Sequence, residues 1–286
     1  MQPFRRILHP IDLEHPSAAA FCHALKLALC GTGYPEEKQH ALLELFHCES
    51  ERSALFSEFP RVRERLARWG ILPENAEKQA VVDLGLSVRK QISRGEVNEE
   101  IALETEAREF ELLVMSSLAR AGWSYFLHRS VSASAVQNTQ IPGLLFPREV
   151  EGFIQSGTGL YRLSKIMVPV ASDPEAWPAL QAVARLLLTL KPAEPGEVML
   201  VHVGREKDFP DQSQPPLPEG WRWTRKTLLG EPVPTLSDCA KEWQPDLVAL
   251  ASAGQKSWRD RWFGSTAEQL LKEFDCPVLV APSDQI

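Results

Sequence analysis

The sequence predicts an α/β protein built as two tandem open parallel five-stranded sheets flanked by helices. Three observations predict it. Short apolar runs of strand length alternate with Ala/Leu-rich runs of helical length. The same order of motifs occurs twice along the chain. The length, 286 residues, suits two domains. Strands separated by helices imply right-handed crossovers, and hence parallel pairing between helical layers.

The first copy opens on Arg6-Ile7-Leu8-His9-Pro10-Ile11-Asp12: a basic residue, a short buried strand and a proline near its end. A helix over Ser17–Leu29 follows, starting beside Pro16, as suits a first helical turn. Strands are expected near Leu42–Cys48 and Gln79–Leu84, and helices near Arg61–Trp69 and Asn98–Glu109. The run Glu111-Leu112-Leu113-Val114-Met115-Ser116-Ser117 reads as the fourth strand and Gly143–Phe146 as the last. The second copy opens on Lys165-Ile166-Met167-Val168-Pro169-Val170-Ala171, with a helix over Glu175–Leu190. Strands near Val198–Val203 and Arg222–Leu228 and a helix near Thr235–Glu242 come next. Asp246-Leu247-Val248-Ala249-Leu250-Ala251-Ser252 matches the Glu111 run, and at the same offset Ser130 falls on Ser265 and Pro142 on Pro277. The last strand is Val278–Ala281.

These matches assign residues 1–147 and 164–286 to two domains, with a linker of residues 148–163 containing Gly152, Gly157 and Gly159. The second copy is shorter. Where the first has its second helix, Asp208–Pro218 carries Pro210, Pro215, Pro216 and Pro218, and reads as a surface loop because proline lacks the amide a helix needs.

The net charge of −7 argues against a nucleic-acid partner, since phosphate neutralisation needs a basic face. The five cysteines are odd in number and contain no Cys-x-x-Cys, which fits neither a disulfide framework nor a zinc site but buried thiols in a reducing cytoplasm. No apolar run approaches the ~18–20 residues of a membrane span, and no signal-peptide core follows the N-terminus. A cytoplasmic protein with no membrane partner is expected.

One segment carries a chemical pattern. Ala251-Ser252-Ala253-Gly254 is followed by nine residues and then Gly264-Ser265-Thr266-Ala267-Glu268, between a strand and a helix. A glycine-containing loop at a helix N-terminus presents bare amides and the positive end of the helix dipole to an anion. Ser265 and Thr266 can cap the helix and donate hydroxyls to phosphate oxygens. Lys256, Arg259 and Arg261, against Asp260, leave the loop locally positive. The alternative is plain structure: Gly254 ends a strand and Gly264-Ser265-Thr266 caps a helix.

On these residues the chain resembles the universal stress protein family, in its tandem two-domain form. Nucleotide-binding members carry Gly-x-x-Gly, nine residues, then Gly-Ser/Thr, on an adenine nucleotide alpha hydrolase-like fold. This sequence keeps Gly254, the spacing and Gly264-Ser265, and departs at Ala251. The Cys276–Val280 ending and the proline in each first strand fit as well. The resemblance implies that Pro169, Val170 and Val203 line an adenine and ribose pocket, with Leu250 and Ala251 beneath it. Ser252, Gly254, Gly264, Ser265 and Thr266 would hold phosphates. The family's aspartate at the end of the first strand is Ala171 here, with Asp173 two residues on. The first copy shows the opposite defects: Asp12 holds the aspartate position, but Ser116, Ala119 and Arg129 replace all three glycines, which predicts a degenerate site.

The implied function is non-catalytic binding of ATP or a related adenine nucleotide by the C-terminal half of a cytoplasmic stress-response protein. The alternative is a nucleotide-free tandem protein acting as a protein-interaction module with vestigial sites. No general base with an orienting partner stands near the loop, so no enzyme is expected, and a requirement for Mg²⁺ is not readable. In the family, domains pair through their last strands. Gly143–Phe146 and Val278–Ala281 would then pair inside one chain as a pseudo-dimer, with a further homodimer open.

Other candidates read as structural. His9, His15 and His23 form no metal-ligand spacing and are expected to be packed or on the surface. Asp12 with Glu14 reads as a cap for the following helix. Ser156-Gly157-Thr158-Gly159 lacks the third glycine of a dinucleotide fingerprint. Trp123 and Trp258 fall at matching positions, and with Trp262 read as packing between halves or as a flap over a ligand.

Overall fold

Runs that are apolar on both faces form the centre of a sheet, and amphipathic runs cover it. The computed structural model describes residues 1–33, 40–49, 54–116, 135–136, 139–147, 150–252, 269–271 and 273–283. The first half contains β1 (Arg6–Pro10), α1 (Ala18–Gly31), β2 (Ala41–Glu49), α2 (Val62–Arg68), α3 (Lys78–Asp83), β3 (Leu86–Arg94), α4 (Val97–Ala107), β4 (Leu112–Ser116) and β5 (Gly143–Phe146). The second contains β6 (Lys165–Pro169), α5 (Trp177–Leu190), β7 (Gly196–Val203), β8 (Trp221–Leu228), α6 (Pro232–Trp243), β9 (Leu247–Ser252) and β10 (Val278–Pro282).

The strands make one ten-stranded sheet in the order β3-β2-β1-β4-β5-β10-β9-β6-β7-β8. Within each half every neighbouring pair is parallel. The halves meet through the last strands, as the family resemblance implies: β5 and β10 run antiparallel, centred on Leu144 opposite Leu279. The two five-stranded sheets are therefore continuous, and neither inner edge is left open to pair with another chain. The outer edges, β3 and β8, carry Arg89, Lys90 and Arg94, and Arg222, Arg225 and Lys226, charges that disfavour edge-to-edge pairing.

One face of the sheet is covered by α1 and α5, which also pack on each other, together with α2 and α3. The other face is covered by α4, α6, residues 135–136, Leu270 and Phe274. All five cysteines are unpaired. Among the described residues no helix is long and apolar enough to cross a membrane.

The repeat extends to individual hydrogen bonds. Glu111 Oε2 accepts from the amides of Arg5 and Arg6 at 2.7 and 3.0 Å. Its counterpart Asp246 accepts through Oδ2 from the amides of Ser164 and Lys165 at 2.8 and 2.9 Å. The basic residue that opens each copy answers this from the other side. Arg6 Nε donates to the Arg108 carbonyl at 2.8 Å, and Lys165 Nζ to the Trp243 carbonyl at 3.1 Å. Each first strand is thus clamped to the start of its fourth strand and to the end of the helix before it.

One expectation is corrected. Gln79–Leu84 is not a strand: Lys78–Asp83 is a helix, and the strand is Leu86–Arg94. Gly85, at φ +78°, makes the left-handed turn between them, as Gly220 does at φ +82° ahead of β8. The true strand is polar because it is an edge with one outward face. Between the halves, residues 150–163 pack against the first half. Phe153, Ile154 and Leu163 are buried, and Ile154 bridges to Tyr161. The Ile154 amide donates to His23 Nε2 at 3.0 Å, and the Ser156 carbonyl accepts from Arg65 Nη1 at 2.6 Å and Trp69 Nε1 at 3.0 Å.

The proline-rich stretch after β7 forms no α-helix, as expected, only a 3₁₀ turn over Glu206–Asp208. Phe209 from it packs on the core beneath the Arg225 guanidinium at 5.1 Å, a contact matched in the first half by Lys90 over Phe59 at 5.5 Å.

Glu111→Ala is expected to lower unfolding free energy by about 1–3 kcal/mol, because charge-assisted bonds to partly buried amides are lost, and Asp246→Ala by less, about 0.5–1 kcal/mol, because its amides are exposed. Urea unfolding measures it. Losses below about 0.3 kcal/mol for both would show that the clamp is incidental.

Candidate functional site

In open α/β sheets ligands bind outside the carboxyl ends of the strands, where strand order reverses. This sheet has two such points, between β1 and β4 and between β6 and β9.

At the first, Pro10 ends β1 and the Ile11 amide makes one more bond, to the Phe46 carbonyl at 2.7 Å. His47 Nδ1 lies 2.9 Å from the Ile11 carbonyl. The chain then turns on Asp12. Its Oδ1 accepts from the Glu14 amide at 2.9 Å, and its Oδ2 lies 3.2 Å from His15 Nδ1. Asp12, Glu14 and His15 bring one ligand atom each within 4.8 Å of one another. Their mutual bonds form a self-contained turn that accounts for this grouping. Asp12 does not cap the following helix: Ser17 does, accepting from the Ala20 amide at 3.2 Å.

The turn borders a cavity of about 290 Å³. Its apolar walls are Ile11, Phe46, Val97, Ile101 and Met115, and its polar lining is Asp12, Glu14, His47, Glu58 and Ser116. It lies in the half whose glycine pattern is degenerate. Sequence reasoning singled out Asp12 and Ser116 there but missed Phe46, His47, Glu58, Val97 and Ile101. One signal was available: Phe46-His47-Cys48 repeats as Val201-His202-Val203.

At the second point the backbone is the same. Pro169 ends β6, the Val170 amide bonds the Val201 carbonyl at 2.9 Å, and His202 Nδ1 lies 3.2 Å from the Val170 carbonyl. Val203 ends β7, and Ala251 and Ser252 end β9. Pro169, Val170, Val203, Ala251 and Ser252 therefore share the β6–β9 switch point. Ser252 is fully buried, and its Oγ finds no partner among the described residues. Its carbonyl accepts from the Ser283 amide and hydroxyl at 2.9 and 2.8 Å. Ala171 bridges to Glu175, and Asp173 beyond it is exposed. Gly254, Gly264, Ser265 and Thr266 lie outside the described residues, as do Ala119, Trp123, Arg129, Ser130, Trp258 and Trp262.

His9 and His23 are packed in the core. His9 is buried with Nδ1 at 2.5 Å from the Val114 carbonyl, and burial lowers its pKa to about 4. Burial likewise lowers that of His23 to about 3. Two residues before Phe46 on β2, the Glu44 side chain is wholly buried. Arg89 Nε from β3 lies 3.1 Å away and Arg108 Nε from α4 3.6 Å, while Arg108 also pairs with Glu104. Burial, then the charge and hydrogen bond of Glu104, push the Glu44 carboxyl up to about 7, and the two arginines only partly offset this. At the matching positions the second half has Met199 and Cys239.

The family model for universal stress proteins matches residues 3–147 and 219–282. No curated protein matches significantly in sequence. Among solved structures, a universal stress protein from Archaeoglobus fulgidus DSM 4304 is 15% identical with a TM-score of 0.62, over 99% of this chain and 98% of that one. A universal stress protein from Pseudomonas aeruginosa UCBPP-PA14 is 15% identical with a TM-score of 0.57, over 98% and 93%. A functionally unknown protein from Pseudomonas aeruginosa PAO1 is 12% identical with a TM-score of 0.57, again over 98% and 93%. At these identities the likeness is one of fold, and it spans both halves.

The raised Glu44 pKa has a defined pH consequence. The folded state binds the proton more tightly than the unfolded chain, so this group's contribution is full below about pH 4.5 and is lost as pH rises through about 7. Glu44→Met, the residue at the matching position, is expected to flatten the fall in stability between pH 5 and 8. Thermal unfolding across that range measures it, and an unchanged slope would overturn the assignment.

Proposed function

The chain belongs to the universal stress protein family, and from that premise we propose that it is a non-catalytic stress-response protein of the cytoplasm that holds ATP or a related adenine nucleotide in its C-terminal half. The observation that carries this is the β6–β9 switch point. There Pro169, Val170, Val203, Ala251 and Ser252 converge, and β9 leads into the Gly254…Gly264-Ser265-Thr266 pattern. The buried Ser252 hydroxyl at that exit, without a partner among the described residues, adds support, since leaving such a group unsatisfied costs about 1–3 kcal/mol.

The reading makes phosphate the main handle. Ala171 supplies no carboxylate for a ribose, whereas bare amides at a helix start hold phosphate. A bound nucleotide would act as a signal, stabilising the liganded fold by linkage. No reaction is assigned. His202 turns Nδ1 to the Val170 carbonyl and its Nε2 is buried, so it presents no base to the crevice. The unpaired thiols fit a reducing compartment.

The second reading, a nucleotide-free interaction module, draws its support from Ala171 and Ala251, both off the family pattern. Calorimetric titration of the full chain with ATP, ADP, AMP and adenosine, with and without Mg²⁺, separates the two. Affinity is expected to fall in that order, and Gly264→Val to weaken ATP at least about ten-fold, or ~1.4 kcal/mol. Absence of binding by every nucleotide below about 1 mM would decide for the interaction module.

A further inference from the structure

On the face of the first half covered by α4, one acid sits where the sheet is otherwise apolar. Glu44 of β2 lies between Leu42 and Phe46 on that face, and its side chain is wholly buried. Neither of its oxygens accepts a hydrogen bond among the described residues. Arg89 Nε of β3 and Arg108 Nε of α4 lie 3.1 and 3.6 Å from Oε2, close enough to attract it but without a hydrogen bond. The Arg108 guanidinium pairs instead with Glu104, one turn earlier on α4. The Glu104 carboxyl lies within hydrogen-bonding reach of Glu44. Two carboxyl groups so placed bond to each other only through a proton held between them. We propose that Glu44 and Glu104 share one proton, and that this proton is a pH-sensitive latch: it holds α4 on the sheet, and its loss lets α4 loosen.

The charges that face Glu44 come from three elements. β3 brings Arg89, which also donates to Gln91 at 3.3 Å. α4 brings Glu104 and Arg108, while Glu100, a turn earlier, is taken up by Ser93 of β3. β1 brings Arg6, whose guanidinium is spent on the Arg108 carbonyl at 2.8 and 2.6 Å. With the proton present, Glu44 is satisfied and β2 is joined to α4. Once it leaves, two negative groups face each other at a wall that excludes water, where repulsion is strong. Arg89 and Arg108 are partly exposed, so solvent screens their counter-attraction. The proton is held up to about pH 7, which sets the latch near neutrality. Val97 and Ile101 of α4 line the cavity between β1 and β4 together with Phe46, so a loosened α4 also moves a wall of that cavity.

The second half lacks every member of the cluster. Met199, Thr224, Cys239 and Trp243 stand at the positions of Glu44, Arg89, Glu104 and Arg108. There α6 packs on the sheet through apolar contacts. Four charged residues occur together in one copy and are replaced together by uncharged ones in the other, as members of one device would be. The helix α6 is therefore a reference within the same molecule.

Hydrogen exchange of the full-length chain, read by mass spectrometry and corrected for the intrinsic pH dependence of amide exchange, compares peptides of α4 and α6. A carboxyl that titrates at about 7 with α4 closed and at its ordinary 4.5 with α4 open lowers the closing constant about ten-fold between about pH 6 and 8. Protection of α4 is expected to fall by that factor, and protection of α6 to stay constant. Glu44→Gln keeps a donor toward Glu104 and has no proton to lose, so its α4 is expected to stay protected across the range. Glu104→Gln changes a helix position that is not fully enclosed, serves where the core variant does not fold, and is expected to flatten the step too, since an amide can donate to Glu44 or accept from it. The infrared carbonyl band of a protonated buried carboxyl is a second readout, expected at the acid end of the range, lost at the alkaline end and missing from Glu44→Gln. Constant α4 protection in the wild type, an equal fall in α6, or a step that persists in either glutamine variant would each overturn the proposal. None of these outcomes depends on nucleotide binding.

Discussion

The pairing of β5 with β10 is the constraint on which the rest of the molecule depends. Each half is an open sheet whose last strand would otherwise expose a row of unpaired amides and carbonyls. Setting Leu144 opposite Leu279 closes both edges at once and makes one ten-stranded sheet. The antiparallel sense of that one join has a geometric result. Strands run one way in the first half and the opposite way in the second, so the carboxyl ends of β1 and β4 and those of β6 and β9 lie at opposite ends of the sheet. The two crevices do not face each other. Each is free to differ from the other in ligand chemistry without disturbing the shared core.

Much of the fold was legible because each repeated pattern has a local physical cause. The basic residue ahead of β1 and β6 ties down a helix end, the acid ahead of β4 and β9 holds two strand-entry amides, and the proline ends the first strand's ladder. Such roles survive changes of residue type, which is why Glu111 and Asp246, or Arg6 and Lys165, are interchangeable. The misplaced third strand shows the limit. Ala80-Val81-Val82 has strand composition but becomes helix, while Leu86–Arg94 pairs along all of β2 with few apolar residues. Edge strands are chosen by pairing more than by hydrophobicity. The packing of residues 150–163 was not legible for a related reason. Their glycines suggest freedom, yet their order comes from distant partners, His23, Arg65 and Trp69, that no local pattern announces.

The two crevices were legible to different degrees. The C-terminal one rests on a loop spacing, a contiguous signal. The N-terminal cavity draws Phe46 from β2, Glu58 from the turn after it, Ile101 from α4 and Met115 from β4, each unremarkable alone. The loss of glycines at Ser116, Ala119 and Arg129 identified what that copy no longer resembles, and composition alone could not show that a cavity remained. The recurrence of histidine at His47 and His202, each against the carbonyl of the residue after a strand-ending proline, was the available clue.

The defects of the two copies are complementary, and the physics explains why each defect is tolerable where it occurs. A carboxylate beside a bound polyphosphate is an unfavourable neighbour unless amides at a helix start neutralise the phosphates. The copy that keeps Asp12 has Ser116, Ala119 and Arg129 at the loop positions where such amides would come close, and its carboxylate is taken up by the Glu14 amide and His15. The copy that keeps Gly254 and Gly264 has Ala171 where the carboxylate would stand, which removes a hydroxyl acceptor and also a repulsive charge. Each copy has thus lost a different part of the same pattern, the glycines in one and the carboxylate in the other. A duplicated chain can lose the opposite part in each copy, because the antiparallel β5–β10 join sets the two crevices at opposite ends of one sheet, where neither borders the other.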